Sequence, residues 1–232
     1  MPKHIFDKPV DVFATGGPKL PLRVKQAIFE KMLNVLHGSP ERLGLPAPDH
    51  RLFESHPIIN SQLWHHLQHG DITPHRAIKS ASGKTVEFSD GTSTKIDLII
   101  AATGYRHLVP VAQEYFGDEQ HPDLFLTAFS RQHPNLFGIG YTETNSGAYE
   151  LFDMLAFLIG NYLNAQRRNA RVAEQFTEII QHDDTDLSGG IKFVSSGRHQ
   201  GYVDSETLMR HLEKLGKQFR WPLSMKGYHG VL

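Results

Sequence analysis

Two short stretches of this chain carry residue types and spacings that can hold a cofactor. In the first, the run Lys95-Ile96-Asp97-Leu98-Ile99-Ile100-Ala101-Ala102 ends abruptly in Thr103, Gly104 and Tyr105. The consecutive apolar residues Leu98, Ile99, Ile100 and Ala101 show no polar alternation, as in a strand covered on both faces in a parallel α/β sheet. Ligands sit at the carboxyl ends of such strands. Gly104 lets backbone approach a ligand closely, and the Thr103 hydroxyl adds a hydrogen bond. The competing reading is an ordinary strand followed by a turn. In the second stretch, Thr142-Glu143-Thr144-Asn145-Ser146-Gly147-Ala148, a strand ends and a helix begins, so unpaired N–H groups and positive dipole potential converge. Asn145 and Ser146 offer polar contacts there, and Gly147 and Ala148 are small enough for a ring to lie close. Simple N-capping by Ser146 is the alternative.

Histidine is the next candidate chemistry, with fifteen in 232 residues. His65 and His69 lie four apart and share a helix face, as two metal ligands can. The zinc-hydrolase pattern needs glutamate beside the first histidine, and His66 stands there instead. With no third ligand in sequence, these read as structural or surface histidines. Asp183, Asp184 and Asp186 lack the closing glutamate of a calcium loop and read as a solvated linker. The absence of cysteine excludes disulfides, thiolate catalysis and cysteine metal sites.

The elements that must position these residues follow from periodicity. Thr85–Phe88 and Thr92–Lys95 flank Ser89-Asp90-Gly91, a hairpin signature leading into the apolar strand. A second buried strand is expected over 136–141, leading into a helix from about Ala148 to Ala165 with Leu151, Leu155, Leu158 and Ile159 on one face. Helices are also expected from Pro21 to about Leu36, with Val24, Ile28, Met32 and Val35 on one face, from Asn60 or Ser61 to His69, from Ala170 to His182, and from Asp204 or Ser205 onward. The first 20 residues, rich in Pro, Gly and Lys, read as an extended entry.

Composition places limits on function. A hydrophobic content of 39%, a mean hydropathy of -0.36 and a formal charge of -1 describe a soluble chain without a field for nucleic acid or anionic lipid. No cationic, apolar leader and no apolar stretch long enough to span a bilayer is evident, which makes a cytoplasmic setting the expectation.

The segment from Val86-Glu87-Phe88-Ser89-Asp90-Gly91-Thr92 through Asp97 to Tyr105 resembles the "FxDGT…DxIIxATGY" stretch of flavin-containing monooxygenases and their Baeyer-Villiger and N-hydroxylating relatives. Asn60-Ser61-Gln62-Leu63 with His69-Gly70-Asp71-Ile72, and Asn135-Leu136-Phe137-Gly138-Ile139-Gly140 with Gly147-Ala148, are similar to flanking segments of the same family. The resemblance covers most of residues 2–165. It implies FAD and NADPH as cofactors, O2 and a small organic molecule as substrates, and insertion of one oxygen atom by N/S-oxygenation or Baeyer-Villiger chemistry. It places Thr103, Gly104 and Tyr105 at the seam between the two cofactors, Asn145, Ser146, Gly147 and Ala148 at the flavin edge, and Asn60 and Ser61 on the nicotinamide side. No catalytic side chain is singled out.

The two glycine-rich fingerprints that hold pyrophosphates in that family are not in this sequence. The closest string, Gly138-Ile139-Gly140-Tyr141-Thr142-Glu143, has glutamate where the third glycine belongs. The expected architecture is therefore α/β, an incomplete Rossmann-like fold with two dinucleotide-binding domains and a helical C-terminal part. Residues 1–105 correspond to the end of an NADPH domain with its hairpin, 106–182 to a return into the FAD domain, and 183–232 to a linker and helical tail. On this reading the chain is the C-terminal portion of a monooxygenase, inactive alone. The alternatives are a non-catalytic remnant or subunit that binds a partner polypeptide carrying the fingerprints, and a histidine-rich metal-binding module.

Overall fold

The computed structural model describes residues 3–5, 8–10, 20–104, 109, 111–116, 122–195 and 201–224. It is a mixed α/β structure of helices and small sheets. The chain divides into two compact units, the first drawn from residues 1–10, 20–51 and 58–106 and the second from 11–19, 52–57 and 107–232.

The first unit begins with the short antiparallel pair β1 (His4–Ile5) and β2 (Lys8–Pro9). Helix α1 (Leu22–His37) starts directly after Pro21 and stops at Gly38, whose φ of 76° ends the helical path. Helix α2 (Gln62–His69) is started by Asn60, whose Oδ1 accepts from the N–H groups of Gln62 and Leu63 at 2.8 and 3.1 Å. The antiparallel sheet β3 (Ile78–Ser82), β4 (Thr85–Phe88), β5 (Ser93–Lys95) has β4 in the middle. Its β4–β5 turn is the expected one: Gly91 takes a φ of 83°, and Asp90 Oδ1 accepts from the Thr92 N–H and hydroxyl. Val86 and Phe88, two apart on β4, are both buried on one face of the pleat.

Beyond this sheet the expectation of a buried strand through Leu98–Ala102 fails. The ladder ends at the bond from Ile96 N–H to Lys84 C=O, and residues 98–104 adopt no regular structure. Leu98, Ile99 and Ile100 are 75%, 54% and 80% exposed. A strand needs a neighbour for its N–H and C=O groups and a layer over each apolar face, and among the described residues this run has neither. Helix α1 shows the same inversion, because Val24, Ile28 and Val35, which share the apolar face, are all exposed.

The second unit contains the one-turn helix α3 (Gln113–Phe116) and the hairpin β6 (Leu124–Phe125), β7 (Phe129–Ser130). Strand β8 (Glu143–Thr144) follows, then the long helices α4 (Tyr149–Arg168) and α5 (Ala170–His182). Strand β9 (Tyr202–Val203) and helix α6 (Ser205–Phe219) complete it. The second expected strand, 136–141, is also corrected: it is reduced to a single antiparallel bridge from Phe137 to Phe129, with Ile139 and Gly140 exposed. Two glycines in six residues weaken strand pairing there, and Gly140 turns the chain with a φ of 116°.

The core of this unit explains its helices. Leu151, Leu155, Leu158 and Tyr162 fall on one stripe of α4 and are buried against Phe176 and Ile180 of α5, Leu208, Leu212 and Leu215 of α6, and Phe125 and Phe129 of the hairpin. Each such side chain contributes about 1.5–3 kcal/mol on burial. Asn169 closes α4 and opens α5, its side chain accepting from Val172 N–H. The loop 183–190 is tied down at both ends: Arg131 donates to the carbonyls of Ile180 and Asp183 at 2.6 and 2.8 Å, and Asp204 N–H donates to Leu187 C=O.

Candidate functional site

In the first unit Thr103 and Gly104 lie at the end of the exposed run, and Tyr105 falls outside the described residues. Gly104 has a φ of 92°, a left-handed conformation that favours glycine, yet nothing lies within 4 Å of the position a Cβ would take. The glycine therefore answers to the backbone path and leaves open space beside it. Asn60 and Ser61 are brought together at the start of α2. Asn60 caps that helix, and Ser61 Oγ accepts from Lys3 N–H at 3.0 Å. Both side chains are occupied in local structure.

In the second unit residues 145–148 connect β8 to α4. Asn145 is 9% exposed and its amide bonds inside the protein. Nδ2 donates to Asp204 Oδ1 at 3.0 Å, while Oδ1 accepts from the Ser205 N–H at 3.1 Å and from the Thr144 hydroxyl at 3.3 Å. Asp204 in turn caps α6, accepting the N–H and hydroxyl of Thr207 on Oδ2. Strand β8 pairs in parallel with β9 beside this clamp, and His56 Nδ1 donates to Thr144 C=O at 2.7 Å. The turn is held by the start of the last helix.

What the turn presents outward is backbone. Helix α4 has Ala148 at its N-cap with no side-chain capping bond, so Ser146 does not cap it. Gly147 is exposed, and Tyr149 is 88% exposed at the first helical position. The N–H groups at the start of α4 are free of side-chain caps beside Gly147 and Ala148, whereas Asn145 makes its bonds inward, to Asp204, Ser205 and Thr144.

An open cleft of about 550 Å³ in the same unit was not legible in the sequence. It lies between Leu124, Thr127, Tyr141, Phe193 and Tyr202. Its one structural sign is strain: Leu126 and Thr127 are consecutive non-glycine residues with φ of 51° and 58°. A β-branched residue in that region is an outlier, and a bond between the hydroxyls of Thr127 and Thr142 holds it. Burial raises the Tyr141 phenol above its ordinary value.

The histidines have other partners. His66 Nδ1 lies 2.9 Å from Asp71, and His69 Nδ1 donates to His65 C=O at 2.8 Å, with the His65 and His69 rings 4.1 Å apart. Among the described residues no group of three or more His, Asp or Glu is arranged to hold a metal. His211 on α6 is 8% exposed, with Nε2 3.3 Å from Asp183 Oδ2, an electrostatic contact without hydrogen-bond alignment. Burial holds its pKa below the ordinary 6.5, Asp183 pulling the other way and Lys214 reinforcing the drop.

The chain belongs to the flavin-binding monooxygenase-like family, whose pattern it matches over residues 14–144, more than half its length. It is similar to the protein named probable indole-3-pyruvate monooxygenase YUCCA1 of Arabidopsis thaliana, with 28% identity over 155 residues, 62% of this chain and 37% of that protein. It is likewise similar to indole-3-pyruvate monooxygenase YUCCA4 of Oryza sativa subsp. japonica, 28% identical over 118 residues, 47% of this chain and 27% of that protein. The matched stretch thus spans about a third of these relatives.

Proposed function

We propose that this chain supplies the C-terminal part of an FAD- and NADPH-dependent monooxygenase that inserts one atom of O2 into a small organic substrate. The single observation that carries this reading is that the family match extends from before the hairpin, through Thr103 and Gly104, to Thr144. The flavin would supply the redox chemistry when bound, and the protein would orient it and exclude water.

The residues divide that work by place. Thr103 offers a hydroxyl and Gly104 an unobstructed backbone at the seam between the cofactors. Gly147, Ala148 and the first turn of α4 offer N–H groups and positive potential at the flavin edge, worth typically 0.3 to about 1 kcal/mol for a reduced, negatively charged ring. Asn145 holds this turn in place through Asp204 and Ser205. Asn60 and Ser61 shape the start of α2 on the nicotinamide side. None of these residues forms a pyrophosphate cradle, and neither glycine-rich fingerprint occurs in the sequence.

A chimera tests the proposal: the Arabidopsis relative with its aligned stretch replaced by the matching residues of this chain. The expected product is yellow and oxidises NADPH, and Gly104→Val in it lowers flavin occupancy more than it lowers the melting temperature. A folded chimera without flavin, or with occupancy indifferent to Gly104→Val, overturns the reading.

A further inference from the structure

The cleft of about 550 Å³ in the second unit has no part in the monooxygenase reading, and its walls have a definite chemistry. Three aromatic rings line it. Phe193 and Tyr202 meet at 5.4 Å with their planes tilted by 53°, and Tyr141 forms a further wall. The Tyr141 ring is seated against Gly138, where a Cβ would fall 2.8 and 2.9 Å from its Cε2 and Cδ2. Glycine at 138 therefore answers to the approach of this ring.

The charge on the cleft has one sign. Asp123 and Asp186 line it, and among the described residues that do so there is no Lys, Arg or His. Arg131 lies 3.1 Å from Asp123, but its guanidinium is shared with Asp184 at 3.2 Å and with the carbonyls of Ile180 and Asp183. Asp186 accepts the N–H and the hydroxyl of Ser188 at 2.8 and 2.9 Å, one on each oxygen, which holds its carboxyl ionised and leaves lone pairs on both.

We propose that this cleft binds a small organic cation, an arylalkylammonium ion, with its ring among Phe193, Tyr202 and Tyr141 and its ammonium group at Asp186. The walls select this ligand. FAD and NADPH carry pyrophosphates, and these, like the carboxylate of an organic acid, would face two aspartates with no cation lining the cleft to receive them. A neutral apolar molecule would fill the ring pocket but strip water from the carboxylates without replacing it. A protonated amine replaces that water with charge-assisted hydrogen bonds, and its charge is also attracted to aromatic faces. The volume falls within the range of small-molecule sites, about 300–1,000 Å³. The walls contributed by residues 185–188, 193 and 201–203 lie beyond residues 14–144, so the family match does not account for the site.

Calorimetric titration of the full 232-residue chain at neutral pH with 2-phenylethylammonium, phenylacetate and ethylammonium tests the proposal. The first is expected to bind, and the other two at least about tenfold more weakly, one for its charge and one for its missing ring. Raising the ionic strength from about 0.01 to about 0.15 M, which shortens the screening length from about 30 to about 8 Å, should weaken the binding. Phe193→Ala should weaken it about tenfold and Asp186→Asn about threefold. Asp186→Asn keeps an acceptor for Ser188 and so reads the charge, and it decides the matter with the salt series if Phe193→Ala lowers the melting temperature. No binding of 2-phenylethylammonium, equal binding of phenylacetate, or an affinity indifferent to salt and to Asp186→Asn overturns the proposal.

Discussion

At the scale of single residues, Asp204 ties two elements of the second unit together. It caps α6 with one carboxylate oxygen and grips Asn145 with the other. Loss of an Asp cap costs about 0.5–2 kcal/mol. Asp204→Ala is therefore expected to lower unfolding free energy by at least that much, read from urea midpoints. A cycle with Asn145→Ala should return a coupling of about 0.5–3 kcal/mol, and additive losses would show that the pair is not a clamp. His211 gives a pH prediction. Its folded pKa lies below the ordinary 6.5 because burial penalises the charged ring, so the unfolded chain takes up the proton first as pH falls. Its contribution is complete above about pH 6.5 and is lost below it. Asp183, whose burial is outweighed by bonds from Thr185 and by the charges of His211 and Lys214, adds a further loss below its ordinary 3.8. The urea midpoint should drop between pH 7 and 5.5, and His211→Gln should shallow that slope. An unchanged slope would remove His211 from the account. At this scale the sequence showed where the candidate residues fall but not what they touch. The bonds of Asn145 to Asp204 and Ser205 were not legible because they depend on a helix that starts 60 residues further on.

At the scale of elements, close approaches by glycine make the sharpest tests. A Cβ on Gly216 of α6 would lie 2.8 Å from Leu223 Cδ1 and 3.1 Å from the Trp221 carbonyl oxygen, where the chain folds back over the helix end. Alanine there gains up to about 1 kcal/mol in helix propensity but overpacks a site whose backbone cannot yield cheaply, at about 1–3 kcal/mol. Gly216→Ala should thus lower the melting temperature, and a rise would mean that the Trp221–Leu223 return is loosely held. The helices were the most legible part of the chain. Periodicity and caps placed α1 and α4 to within a few residues and α5 over its full length, since a helix closes its own hydrogen bonds. The hairpin was legible for a similar reason, as its register is set by Asp90 and Gly91. The runs 98–102 and 136–141 misled because a strand is defined by neighbours. An apolar run reports that burial is wanted, and the partner that provides it is written elsewhere.

At the scale of the whole molecule, the proposed function meets a sequence with neither glycine-rich fingerprint. FAD and NADPH are held in large part through their pyrophosphates, and Gly147, Ala148 and α4 would reach only the ring. Purified alone, this chain should be colourless and should not oxidise NADPH. Co-purification with stoichiometric FAD, or NADPH oxidation above the free-flavin background, would show that it builds a complete site. The parallel pairing of β8 with β9 bears on how the second unit forms. Those two strands meet only after α4, α5 and the 183–190 loop have been laid down between them, and closing a loop of this length costs about 3–4 kcal/mol of chain entropy before any contact is made. The helical hairpin shortens that search by bringing its ends back together first. The turn before α4 is thus among the last parts of the unit to set, and a nascent chain would fix it only once α6 had left the ribosome.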